Sequence, residues 1–235
     1  MFFKMIGGKM AQAGIHALVG PAIRKITPTR EWLMLGIILG SLFPDLDNFA
    51  VTVATLAKLQ TVGHGLHRTF THSIAAVLAV VLIFFFVAQL LKQPRWTTLG
   101  VGLGVGILLH IVLDLLIWFN GVELLWPLGG WVNLWAGVNP PAWFSKLMDP
   151  LEFLFFALFF AWLYNTARLN KTDLDFLGTL RVWTIAMVVL LVIFTPLAYL
   201  MGKGFQTFIG LFYLISITAA FVITIRMRQT VEAFN

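Results

Sequence analysis

The chain has 235 residues, 60% hydrophobic and only 11% charged, with a formal net charge of +6. Soluble domains are ~45–50% apolar and ~25% charged, so a soluble globular enzyme, a disordered chain and a secreted disulfide scaffold are excluded. There is no Cys, which removes disulfides, zinc fingers, iron–sulfur clusters and thiol nucleophiles and leaves His and carboxylates to hold any metal.

Taken in chain order, Met1–Met10 is too short and too Gly-rich for a signal peptide. Met10–Ile23 reads as an amphipathic or partly buried helix broken near Pro21. Trp32–Phe43 reads as a helix stopped by Pro44. It spans ~18 Å at 1.5 Å per residue, short of a ~30 Å hydrocarbon core. Five later segments approach the ~20 apolar residues that a spanning helix needs: Ser73–Leu91, Thr98–Phe119, Glu152–Ala167, Val182–Met201 and Phe205–Ile225. The expected fold is therefore all-α, a polytopic helical membrane protein with about five spanning helices plus short N-terminal helices. One integral membrane domain is expected, residues 1–130 forming a metal-site half and residues 131–235 a second half of spans. The connections Pro44–Thr71 and Asn120–Asp149 are too long for idle turns. Trp126, Trp131, Trp135 and Trp143 in the second suit an interfacial belt.

Lys and Arg orient the spans. Lys92 and Arg95, then Arg168, Lys171 and Arg181, then Arg226 and Arg228, alternate with loops that hold Lys146 and Lys203. The positive-inside rule puts the richer loops, with Arg24, Lys25 and Arg30, in the cytoplasm. The two long connections then face outward, although Lys58 and Arg68 count against this. Basic residues that anchor helices explain the positive charge, and no nucleic-acid partner is expected.

All five His lie in the first half, with Asp45, Asp47, Asp114 and Glu123. A carboxylate at a helix centre costs ~2.5–3.5 kcal/mol on insertion scales, so such groups default to a functional reading. His110 and Asp114, at i,i+4, share a helix face. They make either a buried hydrogen bond or a pair of metal ligands. In Phe43-Pro44-Asp45-Leu46-Asp47, Pro44 is expected to push Phe43 out of the helix and start an extended turn. Asp45 and Asp47 would then point the same way and need a cation or a shared proton between them; the ordinary alternative is helix-end chemistry. His64, His67 and His72 fall within nine residues just before a span. Between them Arg68 offers a planar fork for phosphate or carboxylate, or a headgroup anchor. His16 alone would be an ordinary buried histidine. Glu123 follows the second span, on the same expected side. So many acids and His at one depth suggest two or three ions with bridging carboxylate.

His16, the Phe-Pro-Asp45-Leu-Asp47 string, His67-Arg68-Thr-Phe-Thr-His72-Ser73, His110-x-x-x-Asp114 and Gly121-Val-Glu-Leu-Leu-Trp126-Pro127 together resemble the YdjM-like membrane-bound metal-dependent hydrolases. The resemblance covers roughly residues 10–130. It implies a bacterial or archaeal cytoplasmic-membrane protein with a hydrolase site, here facing the outer side. More distantly, Asp45, a downstream His and His110-x-x-x-Asp114 are similar to the zinc-dependent phospholipase C and single-strand nuclease superfamily. This chain lacks that superfamily's later His pair and its N-terminal Trp, which favours two metals over three. No His-Glu-x-x-His and no Gly-x-Ser-x-Gly is present.

The leading expectation is metal-dependent hydrolysis of a phosphoester in a lipid or lipid-linked substrate, through metal-activated water. His16, Asp45, His67, His72, His110 and Asp114 would bind the metal, zinc before Mn or Mg. Asp47 would bridge, act as base or orient a ligand, Arg68 would neutralise phosphoryl charge, and Glu123 would be a ligand or orient one. A metal or proton transporter and a non-catalytic, metal-stabilised scaffold are the alternatives.

Overall fold

The computed structural model describes residues 13–59, 67–201 and 205–233; His64 lies outside the described residues. The helices are α1 (Ala13–Ala17), α2 (Val19–Ile23), α3 (Leu33–Leu42), α4 (Asp47–Leu56), α5 (Ile74–Leu91), α6 (Pro94–Ile117), α7 (Ala142–Asn170), α8 (Leu177–Leu200), α9 (Phe205–Arg226) and α10 (Arg228–Glu232). Short 3-10 turns at Pro44–Leu46, Phe70–His72 and Leu174–Phe176 join some of them. Among the described residues, five helices are long and apolar enough to cross a membrane, so the all-α polytopic architecture is borne out. Only 17% of the window in α5 and 11% of that in Leu174–Leu200 is buried by protein. Apolar helices this bare need lipid as their solvent.

Three local expectations are corrected. The N-terminal break falls at Leu18, between α1 and α2, and not at Pro21. Pro21 sits in the first turn of α2, where an amide has no intrahelical partner to lose. The third span begins ten residues before Glu152 and runs through Pro150; Met148, Pro150, Glu152 and Phe153 are all buried, so packing overrides the local stop signal. Phe43 is helical (φ −59°, ψ −45°) and Pro44–Leu46 is a 3-10 turn, so the extended turn is overturned. Pro44 takes the first position of a helical turn, where its missing N–H costs nothing. Phe43 N–H still bonds Leu39 O at 2.9 Å, and Leu46 N–H bonds Phe43 O at 3.1 Å. The α3 axis and the Pro44–Ala54 segment meet at 41°, a broken span or a re-entrant pair.

The chain divides into two compact units, Val19–Asn139 and the residues up to Leu18 with Pro140–Ala233. In the second, α7 and α8 pack through aromatic side chains, Phe153 on Phe194 (5.4 Å between centroids) and Phe160 on Trp183 (5.9 Å). Gly14 of α1 donates its N–H to Glu152 Oε1 at 2.9 Å, and His16 is buried on the same short helix. At one end of this unit, Asp173 accepts from Thr230 N–H at 3.0 Å, and Arg226 reaches Asp175 at 2.7 Å.

In the Val19–Asn139 unit, α6 runs between α3 and α5, and glycine makes this possible. Gly100, Gly102, Gly104 and Gly106 alternate along α6. At 3.6 residues per turn, Gly100 and Gly104 share one face and Gly102 and Gly106 the opposite one. The first pair lies against Phe84 and Val81 of α5. The second lies against the α3 backbone, and Gly36 and Gly40 of α3 answer it. A Cβ on Gly102 would stand 2.5 Å from Leu33 O, and one on Gly36 would stand 2.5 Å from Leu99 O. This is a small-xxx-small crossing, in which bare backbone lets helix axes close up.

Gly102→Ala is expected to destabilise the detergent-solubilised protein by about 1–3 kcal/mol, the usual cost of overpacking a tight contact. Gly178→Ala, where nothing lies within 4 Å of the new Cβ, serves as the control. Thermal unfolding followed by tryptophan fluorescence should show a lower midpoint for the first and no loss for the second.

Candidate metal centre

The close α3–α6 crossing brings four stretches of the Val19–Asn139 unit to one polar cluster. The end of α3 and the Pro44 turn supply Ser41 and Asp45, and Asp47 opens α4. The segment before α5 supplies His67, Arg68, Thr71 and His72, and the last turns of α6 supply His110 and Asp114. Asp45, His72, His110 and Asp114 are fully buried, and Asp47 and Arg68 nearly so.

Hydrogen bonds set the tautomers. His110 Nδ1 lies 2.8 Å from Ser41 O. A carbonyl only accepts, so Nδ1 carries a proton and donates it to Ser41 O. The Thr71 hydroxyl donates to Asp47 Oδ2 at 3.2 Å. Its oxygen therefore accepts from His72 Nδ1 at 3.0 Å, with Asp47 Oδ2 also 3.6 Å from that nitrogen. His72 Nδ1 therefore carries a proton, and its Nε2 faces His110. Burial above all, then His110, with Arg68 and His67 adding, lowers the His72 pKa well below the ordinary imidazole value against the opposing pull of Asp114. The ring is neutral, the form that binds metal.

The two Nε2 atoms face each other across 3.1 Å. Asp45 Oδ1 is 3.9 Å from His110 Nε2. Asp114 Oδ2 is 3.6 Å from His72 Nε2 and 3.8 Å from His110 Nε2. Asp45, His72 and His110 each offer a ligand atom, all within 4.8 Å of one another. Buried histidine and aspartate of this kind could hold a metal ion.

Asp47, by contrast, is filled with donors. It takes His67 Nδ1 at 3.1 Å and Arg68 N–H at 3.0 Å besides Thr71. Despite the helical backbone between them, Asp45 and Asp47 both serve the cluster, one toward imidazole Nε2 atoms and the other toward Nδ1 atoms. His67 stands at the rim, its side chain 25% exposed, outside the three-ligand group. Arg68 has a left-handed backbone (φ 60°). Its carbonyl accepts from Glu123 N–H at 3.0 Å. Its guanidinium lies 3.5 Å from Asp114 Oδ2 and donates to Gly121 O at 3.4 Å. Glu123 is half-buried and joins the cluster through this backbone bond. His16 belongs to the other unit. The Ser41 carbonyl and Gly121 were not foreseen, since a main-chain acceptor leaves no mark on residue type. The Gly36/Gly40 and Gly102/Gly106 spacings did carry a readable signal for the crossing behind them.

No curated protein and no solved structure matches the chain. The model of one family, described as YdjM inner membrane protein, matches residues 8–229. That span takes in all five candidate spanning helices and the whole polar cluster, and the chain belongs to the YdjM inner membrane protein family.

Proposed function

We propose that the cluster binds a divalent metal and hydrolyses a phosphoester of a lipid or lipid-linked substrate. One observation carries the metal: His72, His110 and the buried Asp45 each bring a ligand atom to one place, all within 4.8 Å of one another, with the two Nε2 atoms 3.1 Å apart. A divalent cation bound there would take a lone pair from each ring in place of the contact between them. Two Zn–N bonds of ~2.0–2.1 Å at a tetrahedral angle put their nitrogens about 3.3 Å apart, close to the separation found. His72, His110 and Asp45 would hold the ion, with Asp114 adjoining, and zinc suits this nitrogen and oxygen set better than Mg or Mn. A metal bound there would supply a nucleophilic water near neutral pH.

The chain's own residues do the rest. Ser41 O holds His110 by Nδ1. Asp47, through Thr71 and directly, holds His72 and His67 by Nδ1, so it acts as a positioning residue. Arg68 meets the charge that grows on the phosphoryl oxygens, exchanging its contact with Asp114 for the substrate. His67 presents its other nitrogen at the rim. Glu123 braces the Arg68 carbonyl. The spans around the cluster keep lipid within reach of it, which favours a substrate with a wet headgroup and an apolar tail.

Protein purified in detergent without chelator is expected to carry divalent metal by elemental analysis, and to lose most of it in His72→Ala and His110→Ala. The same measurement separates one bound ion from two or three. Phosphate or headgroup release from phosphatidic acid or phosphatidylglycerol should vanish on metal stripping and return with Zn or Mn. Full turnover by metal-free protein would overturn the proposal.

Asp47→Asn keeps the shape of the side chain but weakens its hold on three donors, and is expected to slow turnover by ~10-fold or more with little change in unfolding midpoint. Arg68→Ala should cost at least as much in kcat. If both variants work at the rate of the unaltered protein while binding metal, the cluster is a structural metal site.

A further inference from the structure

The connection after α6 is the least ordinary surface of the Val19–Asn139 unit. No ionisable residue occurs between Glu123 and Lys146. Val122 and Val132 exchange both backbone bonds, at 3.0 and 2.9 Å, which closes a hairpin whose tip carries Gly129 and Gly130. Its apolar side chains point outward. Leu128 is 89% exposed, and Leu125, Trp131, Leu134 and Val138 are about half exposed or more. In water this would be an unexplained apolar patch.

Its polar groups are turned the other way. Trp126 N–H bonds Glu123 O, Leu128 N–H bonds Leu125 O, and Val138 N–H bonds Trp135 O, all within 3.1 Å. Asn133 donates to Phe119 O and accepts from Trp135 N–H, both at 2.9 Å. Uncharged side chains over a backbone that is in part bonded internally suit the edge of a bilayer, where the other amides can meet water and headgroups. The depth is fixed by two further bonds. Ile74 N–H, at the first position of α5, bonds Leu124 O at 3.0 Å. Trp135 Nε1 donates to Leu116 O, at the last turn of α6, at 3.0 Å. The hairpin therefore lies level with the ends of two spanning helices, at the boundary between headgroups and acyl chains, where Trp rings settle.

We propose that the 121–138 hairpin is a membrane-dipping element whose partner is the bilayer's own acyl chains. It also lies against the cluster: Glu123 N–H holds Arg68 O, Gly121 O takes the Arg68 guanidinium, and Trp126 packs edge-on against the exposed Phe70 ring at 5.1 Å. Phe70 and Trp126 form the place where the tail of a lipid substrate rests while its headgroup meets Arg68. This second statement rests on the hydrolase reading above; the insertion of the hairpin does not.

The chain has no Cys, so Leu128→Cys provides a single thiol for an environment-sensitive nitrobenzoxadiazole label. In nanodiscs of phosphatidylcholine and phosphatidylglycerol the labelled protein should emit to the blue of a label at Lys171→Cys. It should also be quenched ~2-fold or more by lipids bearing a nitroxide on the upper acyl chain. A label with water-like emission that iodide quenches and lipid nitroxide does not would overturn the proposal. So would a label shielded from both, which would mean that a protein covers the hairpin. In a second arm, Leu128→Ser/Leu134→Ser should lower turnover of phosphatidylglycerol in vesicles several-fold while leaving bis(p-nitrophenyl) phosphate turnover unchanged. An equal fall on both overturns the substrate-tail role. Absence of any turnover in the unaltered protein removes the hydrolase reading, and the quenching result still decides insertion.

Discussion

The contact on which the polar cluster depends is apolar: bare backbone of α3 against bare backbone of α6. With any side chain at Gly36 or Gly102 the two helices would stand farther apart, since a Cβ at either place would strike a carbonyl of the other helix. The 2.8 Å reach from His110 Nδ1 to Ser41 O would then open. With it would go the bond that orients the His110 ring. A membrane offers little hydrophobic drive to press two helices together, so close approach has to come from shape. The α6 helix solves this twice, with one glycine pair for α3 and another, on the opposite face, for α5.

Much of the cluster could be read from residue types, because ionisable groups are rare in a chain so poor in charge and their gathering is conspicuous. The i,i+4 spacing of His110 and Asp114 placed both correctly on one helix face. The Pro-Asp-Leu-Asp string was harder. The steric rule for a residue before proline argued for an extended turn, yet Phe43 stays helical because its own hydrogen bonds, back to Leu39 and forward to Leu46, are kept. Local bias lost to the packing of α3, whose ten residues are all buried. The five long apolar runs were legible for the same reason that lipid tolerates them. Their limits were not, as Pro150 inside α7 shows.

What residue types could not reveal is which atom of a side chain faces which neighbour. Asp47 could have been base, bridge or orienter by its chemistry alone. The donors around it, His67, Arg68 and Thr71, occupy its oxygens, which supports the positioning role proposed for it. Arg68 is the more instructive case. Its N–H, carbonyl and guanidinium reach Asp47, Glu123 and Asp114 in turn, so a residue expected to meet substrate also ties three stretches of chain. The left-handed backbone at that position is held by bonds on either side of it, which is how a strained conformation persists in a folded chain.

That same arginine sets the electroneutrality of the cluster. Around it stand the three carboxyl side chains of Asp45, Asp47 and Asp114 with the single guanidinium, an imbalance that a bound divalent cation would offset on the proposed reading. On the proposed reading, an arriving phosphodiester would bring its anion into a region already balanced. To serve it, Arg68 would have to loosen its 3.5 Å contact with Asp114. Substrate entry and the release of Asp114 would then be two ends of one exchange.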